Sequence, residues 1–328
     1  MGIIKDEHAS YKLLARALEQ KGYAIGVTEG RSVTATYTRP TGEVWKTRAA
    51  HLAYPFTSSK ARSVSQYKNK AYELAEEVGF SYPSTVFVTD LPSDETLESL
   101  LSRYKKLIVK PNNSSLSRGL TVNIETIDDL KKAIAHARKV TPDVLIQEQV
   151  KGEEIRFTVI EGKVEAALLR RTARVIGDGV SSISALIQAE NELRKNLTFD
   201  YITYPLLSAS LVGEERMQDA RVPAKGEIVE LSHSTMIRGG CSVYDILPEI
   251  HPSYIKQVEN LVAKLDAGFV VVDVFCQAFD QPATPENHWF IEFNTAPVLK
   301  LYYSCRDGKH FDIVSRLADA IDRSLVTS

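Results

Sequence analysis

The chain has few cysteines, no long apolar run and no surplus of charge of either sign. Three cysteines, Cys241, Cys276 and Cys305, stand far apart in 328 residues. They form no CxxC pair, and an odd number argues against a disulfide framework, so a reducing cytoplasm is the expected compartment. The longest apolar run, Ala267 to Val272, is far too short to cross a bilayer. The first ten residues carry Lys5, Asp6 and Glu7 and no apolar stretch, so no signal peptide is expected, and Asp6 stands where a myristoylation site wants Ser or Thr. Lys and Arg number 40 against 42 Asp and Glu, a formal net charge of −2. That balance leaves no electrostatic footprint for nucleic acid or an anionic membrane, so neither is an expected partner. The histidines (His8, His51, His136, His233, His251, His288 and His310) show no HxH, HExxH or Cys-His spacing, which argues against zinc. There is no G-x-S-x-G elbow, no Gly-Lys-Ser/Thr in a Walker frame, no internal repeat and no low-complexity segment.

Hydrophobic residues make up 44% and charged residues 25%. That is ample for a packed core, and the length suits about two domain-sized units. Residues 9 to 21 read as an amphipathic helix, followed by strand-like pieces at Tyr23 to Thr28, Ser32 to Tyr37 and Glu43 to Arg48. The polar stretch Thr57 to Ser65 reads as a boundary. Beyond it, helices are expected at Gln66 to Val78, Asp94 to Tyr104, Ile127 to Val140, Ile183 to Leu193, Pro252 to Leu265 and Phe311 to Leu325. Strands are expected at Thr85 to Val88, Lys106 to Lys110, Leu120 to Ile124, Val144 to Gln149, Glu154 to Ile160, Lys163 to Arg171, Glu227 to Leu231, Gly268 to Phe275 and Trp289 to Phe293. The stretch 196 to 226 has no clear period. Strands and helices intermingle throughout, which argues α/β or α+β.

Several features carry chemistry. Asp273 and Glu292 each sit inside an otherwise apolar strand, and the two-residue period puts Asn294 on the side of Glu292. An ionised carboxylate there is costly unless it is paired or binds a metal. Hard carboxylate and amide oxygens suit Mg²⁺ held partly by phosphates. Pairing with arginines is the alternative, and spacing alone leaves both open. Lys110 ends a buried strand before Pro111 and the small-residue loop 112–119, whose N–H groups from Ser114 to Gly119 can cradle phosphates. A lysine fraying into a surface turn is the plain reading. Gln147-Glu148-Gln149-Val150 ends another apolar strand, where backbone groups can read an adenine edge and Glu154 can take ribose hydroxyls; an ordinary loop would look the same. Arg156, Arg170, Arg171 and Arg174 can neutralise phosphate charge or lie on the surface. Gly239-Gly240 after Arg238 is a loop fit for close approach to a ligand, or a simple turn.

Taken in order, Lys70, Lys110-Pro111, the small loop, the hinge, Asp273 and Glu292-Phe-Asn294 resemble the ATP-grasp superfamily of carboxylate–amine ligases. The similarity is greatest to the ATP-grasp region of cyanophycin synthetase and of the bifunctional glutathione-forming enzymes; D-alanine–D-alanine ligases are more distant. The motifs that carry it are Asn69-Lys70 with Val78 to Pro83, Leu107 to Ile124 (LIVKPNNSSLSRGLTVNI), Val144 to Arg156 (VLIQEQVKGEEIR), Ala173 to Ile187 (ARVIGDGVSSISALI), Val222 to Gly226, Ile250 to Pro252 and Ile291 to Pro297 (IEFNTAP). They are collinear over roughly residues 65 to 328.

The resemblance implies an α+β or α/β chain with the ATP-grasp fold: two α+β subdomains gripping ATP, and a small N-terminal α/β unit. The expected division is 1–64 (substrate side), 65–150 (phosphate loop) and 151–328 (metal site). It implies an ADP-forming ligase that joins an amino acid or short-peptide carboxylate to an amine through an acyl-phosphate, with ATP and Mg²⁺, or Mn²⁺ in its place. A carrier-bound or peptide side-chain substrate, or a nucleotide-binding regulator whose catalysis has lapsed, are the rival implications. By resemblance, Lys70 and Lys110 contact phosphates, and Ser114, Ser115, Arg118 and Gly119 form the mobile loop. Gln147 meets the adenine amino edge with the backbone of Glu148 and Val150, and Glu154 meets the ribose. Asp273, Glu292 and Asn294 hold the metal. Arg156 and Arg171 lie near the acyl-phosphate; Arg238, Gly239 and Gly240 border the substrates, and Lys300 meets a substrate carboxylate. The chain departs from the pattern at Leu116-Ser117, where a further glycine is usual, and at Arg238, where a small hydroxyl residue is usual. A homodimer is a further implication, and Tyr201, Tyr204, Tyr302 and Tyr303 are candidates for the acceptor side or for core packing.

Overall fold

The structure, a computed structural model, describes residues 9–115, 117–197, 202–232, 234–306 and 312–326. Tyr201, His8, His233, His310, Leu116 and the expected helix start at Phe311 lie outside the described residues. Helix α1 (Ala9–Glu19) leads into β1 (Ala24–Thr28), β2 (Thr34–Thr38) and β3 (Val44–Arg48). Helices α2 (Ser59–Gln66) and α3 (Lys68–Glu77) precede β4 (Thr85–Val88), α4 (Asp94–Tyr104), β5 (Leu107–Pro111), β6 (Thr121–Ile124), α5 (Ile127–Arg138) and β7 (Val144–Glu148). Next come β8 (Glu153–Ile160), β9 (Lys163–Arg171), β10 (Arg174–Ile176), α6 (Ile183–Lys195), the short α7 (Ala209–Val212) and α8 (Glu214–Met217), β11 (Ile228–Glu230) and β12 (Ser242–Asp245). The chain closes with α9 (Pro252–Val262), β13 (Phe269–Cys276), β14 (His288–Asn294) and α10 (Ile313–Val326).

These elements form two compact units, the first of Thr57–Gly152 with Ile250–Thr295, the second of Met1–Phe56, Glu153–Glu249 and Ala296–Ser328. The linear division 1–64, 65–150 and 151–328 is therefore not the one the contacts make. Strand β14 packs with α2 and α3, and α1 packs with α10, so each unit gathers segments distant in sequence.

In the first unit, an antiparallel sheet runs in the order β4-β7-β5-β6. Leu107, Val109, Val144 and Ile146 on one face bury against Leu97 of α4 and Leu130, Ala133, Ile134 and Ala137 of α5. The spacing of the α5 residues is that of one helical face. Thr126 caps α5 by accepting from Asp129 N–H, and Asp128 and Asp129 complement the positive end of its dipole. Period two then sends Ile108, Lys110, Leu145 and Gln147 to the opposite face. Strands β13 and β14 pair as an antiparallel hairpin with a bulge after Asp273. Ser65 ties the far end of β14 to α2: its hydroxyl donates to Phe293 O at 3.2 Å and accepts from Thr295 N–H at 3.3 Å.

The stretch Thr57 to Ser65 does open a new unit, but it is not a polar linker: most of it is α2, capped by Ser58 and anchored by buried Ala61 and Val64. Two buried apolar positions in eight residues give too weak a period to read. The single helix expected from Gln66 to Val78 is instead interrupted at Tyr67, whose backbone is extended.

In the second unit, β1-β2-β3 form one antiparallel sheet, β12-β9-β8 another antiparallel set, and β10-β11 a ribbon. The aromatic series Tyr37, Trp45, Tyr54 and Phe56 stacks pairwise, with centroids 4.6 to 6.2 Å apart. Tyr23 Oη and Arg39 Nε both donate to Asp322 of α10, at 2.7 and 2.9 Å, and Lys21 pairs with Asp319. The segment without a readable period contains α7 and α8, with Leu207 and Val212 packed beside Ile183 and Ile187 of α6. All three cysteines are free and buried. Among the described residues, no helix is long and apolar enough to cross a membrane.

Candidate functional site

The face of the β4-β7-β5-β6 sheet that carries Lys110 meets α3. Lys110 is 7% exposed, and its Nζ donates to Tyr72 Oη at 3.0 Å. Burial pushes its ammonium down to about 8, and the nearby Glu292 carboxylate partly opposes this. Tyr72 Oη also accepts from Gln147 Nε2 at 3.0 Å, and burial pushes the phenol up to about 12, so it stays protonated. Lys110 is thus a built-in buried cation rather than a lysine fraying into a turn.

A second amine joins it. Lys68 Nζ donates to Ser114 O at 3.0 Å and lies 3.8 Å from Glu292 Oε2. Burial lowers its pKa, Glu292 opposes the shift, and the charge of Lys110 adds to it. Lys70 points elsewhere: it is exposed, donates to Ser63 Oγ at 2.7 Å and lies over the Tyr67 ring. So Lys68, not Lys70, accompanies Lys110. Helical period shows why. Lys68 shares a face with buried Tyr72 four residues on, and Lys70 does not.

The carboxylates converge by register. Asp273 and Glu292 are direct cross-strand partners, and Asn294 stands opposite Val271. Direct partners share a face, so Asp273, Glu292 and Asn294 present three hard oxygen donors on one side of the hairpin. Asp273 is 2% exposed, Glu292 and Asn294 half-buried. Among the described residues, no three His, Cys, Asp or Glu side chains gather as a metal cluster. The candidate set is two carboxylates and an amide.

The loop after Pro111 is closed on itself. Ser114 Oγ donates to Arg118 O at 3.1 Å, and Arg118 N–H donates to Ser115 O at 3.3 Å. Ser117 takes the left-handed conformation at φ 56°, which the usual glycine would adopt without strain. Gly119 is required where it stands: φ is +74°, and a Cβ there would lie 2.8 Å from Pro111 Cγ. Ser115 and Arg118 are exposed.

The hinge is more committed than its sequence suggests. Gln147 is buried in β7 and gives both amide protons away, to Tyr72 Oη and to Thr85 Oγ1 at 2.6 Å. Only its carbonyl is left to accept from an amino edge. Glu148 N–H donates to Ser84 O at 2.9 Å and Gln149 N–H to Lys106 O at 3.1 Å. The Gln149 side chain holds Asn123 by two hydrogen bonds, at 2.7 and 2.8 Å. Val150 is half-buried.

The remaining candidates belong to the second unit. Glu154 faces Arg170 across β8 and β9 and is ion-paired to it, so a ribose would have to compete with that arginine. Arg156 on β8 is half-buried between Ile155 and Phe157. Arg171 pairs with Glu153 at 3.0 Å and lies over the Tyr244 ring. Arg238 is exposed in a short 3₁₀ turn, Ile237–Gly239, and Gly240 follows at φ 81°. A Cβ on Gly239 would strike Ser234 Oγ, so this turn admits only glycine. Lys300 borders a cleft of about 160 Å³ lined by Ala9, Ser10, Ala49, Leu52 and Ala296. Tyr204 and Tyr302 are buried and bonded to Cys241 O and Thr158 respectively, which makes them core residues.

The sequence reading missed Arg194, which is fully buried. It donates to Glu190 at 2.7 Å, Pro205 O at 2.9 Å and Gly240 O at 2.9 Å, and Arg306 holds the same Glu190 through two nitrogens. The signal was present: Ile183, Ile187, Glu190 and Arg194 lie on one helical face, so this i,i+4 ion pair sits on the apolar side of α6.

A family model described as D-ala D-ala ligase C-terminus matches residues 90–179. The glutathione biosynthesis bifunctional protein GshAB of Pasteurella multocida (strain Pm70) is 27% identical over 249 residues, covering 72% of this chain and 32% of that protein. The cyanophycin synthetase of Trichormus variabilis is 24% identical over 225 residues, covering 66% and 24%. The crystal structure of a bifunctional glutathione synthetase from Pasteurella multocida superposes with a TM-score of 0.63 at 22% identity, over 97% of this chain and 44% of that one. A D-alanyl-alanine synthetase A structure from Vibrio cholerae gives 0.57 at 12% identity, over 98% and 94%. The fold is ATP-grasp. In sequence the chain is similar to glutathione-forming bifunctional proteins and to cyanophycin synthetase. It spans about a third of the length of the first curated relatives it matches.

Proposed function

We propose that the chain is an ATP-dependent, ADP-forming ligase that joins the carboxylate of an amino acid or short peptide to an amine. One observation carries this reading: the ammonium groups of buried Lys110 and partly buried Lys68 gather beside the strand that bears Glu292, with Asp273 directly across from it. Phosphoryl transfer asks a protein chiefly for positioning and charge neutralisation. Two desolvated lysines supply fixed positive charge for the β- and γ-phosphates. Like charges placed directly opposite disfavour each other, which favours a cation beside them, and three hard oxygens suit Mg²⁺, with Mn²⁺ as a substitute. Asp273, Glu292 and Asn294 would hold that ion, which would neutralise further phosphate charge.

In this reading the substrate carboxylate attacks the γ-phosphorus, the bond to the bridging oxygen breaks, and ADP leaves with that electron pair. The amine nitrogen then attacks the acyl carbon, phosphate departs, and the amine proton passes to solvent. Arg156 and Arg171 neutralise the acyl-phosphate; Arg238, Gly239, Gly240 and Lys300 orient the substrates. Loop 112–119 is the segment suited to keep water from a hydrolysable acyl-phosphate. The names of the relatives, which speak of glutathione and cyanophycin, support amino-acid or peptide substrates. Three free cysteines support a reducing, cytoplasmic setting, and light scattering would test for a homodimer.

The test is ADP and phosphate release with MgATP and pools of amino acids and dipeptides, with Glu292→Ala as control. Pool-dependent ADP release that is lost in the variant is expected. Formation of AMP and pyrophosphate, or full turnover by the variant, refutes the assignment.

A further inference from the structure

Helix α3 begins without a cap of its own. Tyr67, at φ −114° and ψ 112°, makes no side-chain hydrogen bond to the helix start. The first turn of a helix leaves N–H groups with no partner inside the helix. Here a residue from another segment takes them. Lys68 N–H donates to Asn112 O at 3.2 Å and Asn69 N–H to Asn112 Oδ1 at 3.1 Å. In return Asn112 Nδ2 donates to Asn69 Oδ1 at 2.9 Å. Asn112 is itself fixed, since its N–H donates to Asp143 O at 2.9 Å and it is 7% exposed. It lies two residues after Lys110, at the end of β5. The turn it grips carries Lys68, whose Nζ reaches Ser114 O and Glu292.

We propose that Asn112 is a positioning residue for the nucleotide triphosphate. By capping α3 from the end of the strand that bears Lys110, it sets the spacing of the two amines so that both meet one polyanion. The inference rests on the ligase reading above for the identity of that polyanion as MgATP. Asn112 touches no reacting atom and acts through Lys68.

Calorimetric titration of MgATP into wild type, Asn112→Leu, Asn69→Leu, Lys68→Met and the Lys68→Met/Asn112→Leu pair tests it, with a thermal melt of each. Asn112→Leu should weaken MgATP by about tenfold or more, and Asn69→Leu, which keeps the backbone cap, by about three- to fivefold. If Asn112 acts through Lys68, its substitution in the Lys68→Met background should change affinity by less than about twofold. A purely structural role would lower the melting temperature while leaving affinity unchanged, or would add its full effect in the double variant; either result overturns the proposal. Should Asn112→Leu fail to fold, the half-exposed Asn69→Leu decides, and unchanged affinity there overturns it. Wild type that binds no MgATP overturns this inference and the ligase reading together. Binding by wild type with equal binding by Asn112→Leu overturns this inference alone.

Discussion

Removing the Lys110 ammonium should make the protein more stable and less active. Burial holds its pKa at about 8 against an ordinary 10.5. That depression is worth about 3 kcal/mol by which the folded state disfavours the charged amine. Lys110→Met keeps most of the volume and removes that cost, while losing one hydrogen bond to Tyr72, worth about 1 kcal/mol. Tyr72 Oη still accepts from Gln147, so no polar atom is orphaned. The net expectation at pH 7 is a gain of about 2 kcal/mol in urea unfolding. The sign of its pH dependence is fixed. Below about pH 8 both states are protonated and the full cost applies; between 8 and 10.5 the folded amine is neutral while the unfolded one is charged, so the cost shrinks; above 10.5 it is gone. The advantage of the variant should therefore be roughly halved near pH 9 and nearly gone by about pH 10. ATP-dependent turnover should fall by about 10²- to 10³-fold, as for loss of a preorganised charge. A variant destabilised at pH 7, or stabilised equally at every pH, refutes the reasoning.

The two lysines of the α3 turn should separate cleanly. Lys68→Ala should cost about 10²-fold in kcat/KM for ATP, and exposed Lys70→Ala less than about threefold, in a steady-state assay of ADP release. Gly119→Ala forces a Cβ against Pro111 and Val140 at a positive φ, so unfolding should be easier by about 1–3 kcal/mol. Arg194→Met leaves Pro205 O and Gly240 O without their donor and Glu190 with one arginine, a loss of about 3–5 kcal/mol in denaturant unfolding. Arg194→Lys should recover only part of it, because an ammonium lacks the planar fork that reaches four acceptors.

Most of the fold was legible because its periods are clean. The strands Leu107–Pro111, Val144–Glu148 and Phe269–Cys276 are apolar runs bounded by turn residues, and α5 shows a capping threonine before an apolar stripe. What was hidden lacks such marks. Tyr67 breaks two helices without Pro or Gly, because Asn112 caps α3 from a distant segment, and no local pattern records that. Strand β10 has 3 residues and β12 has 4, too few to show alternation. The regrouping of β13 and β14 with α2 and α3 is a tertiary choice, invisible to any window along the chain.

The site was legible to the extent that residues had no cheaper explanation. A carboxylate in the middle of an apolar strand is anomalous wherever it occurs, so Asp273 and Glu292 could be picked out, and cross-strand register then made them neighbours. Lysines offer no such anomaly. Lys68 and Lys70 are equally plausible in composition, and only the helical phase set by buried Tyr72 and Ala75 tells which one turns inward. The same phase argument, applied to α6, would have found Arg194. A polar residue that shares a face with buried neighbours must be satisfied inside the protein, and Lys68, Lys110 and Arg194 illustrate the two ways to do it. Arg194 is bonded to four acceptors and serves the architecture. Lys68 Nζ donates to Ser114 O and pairs with Glu292, Lys110 Nζ donates to Tyr72 Oη, and burial still depresses both pKa values. A chain that retains two incompletely compensated ammonium groups is less stable than one that replaces them, which is the expectation for groups kept to meet an anion that arrives from outside.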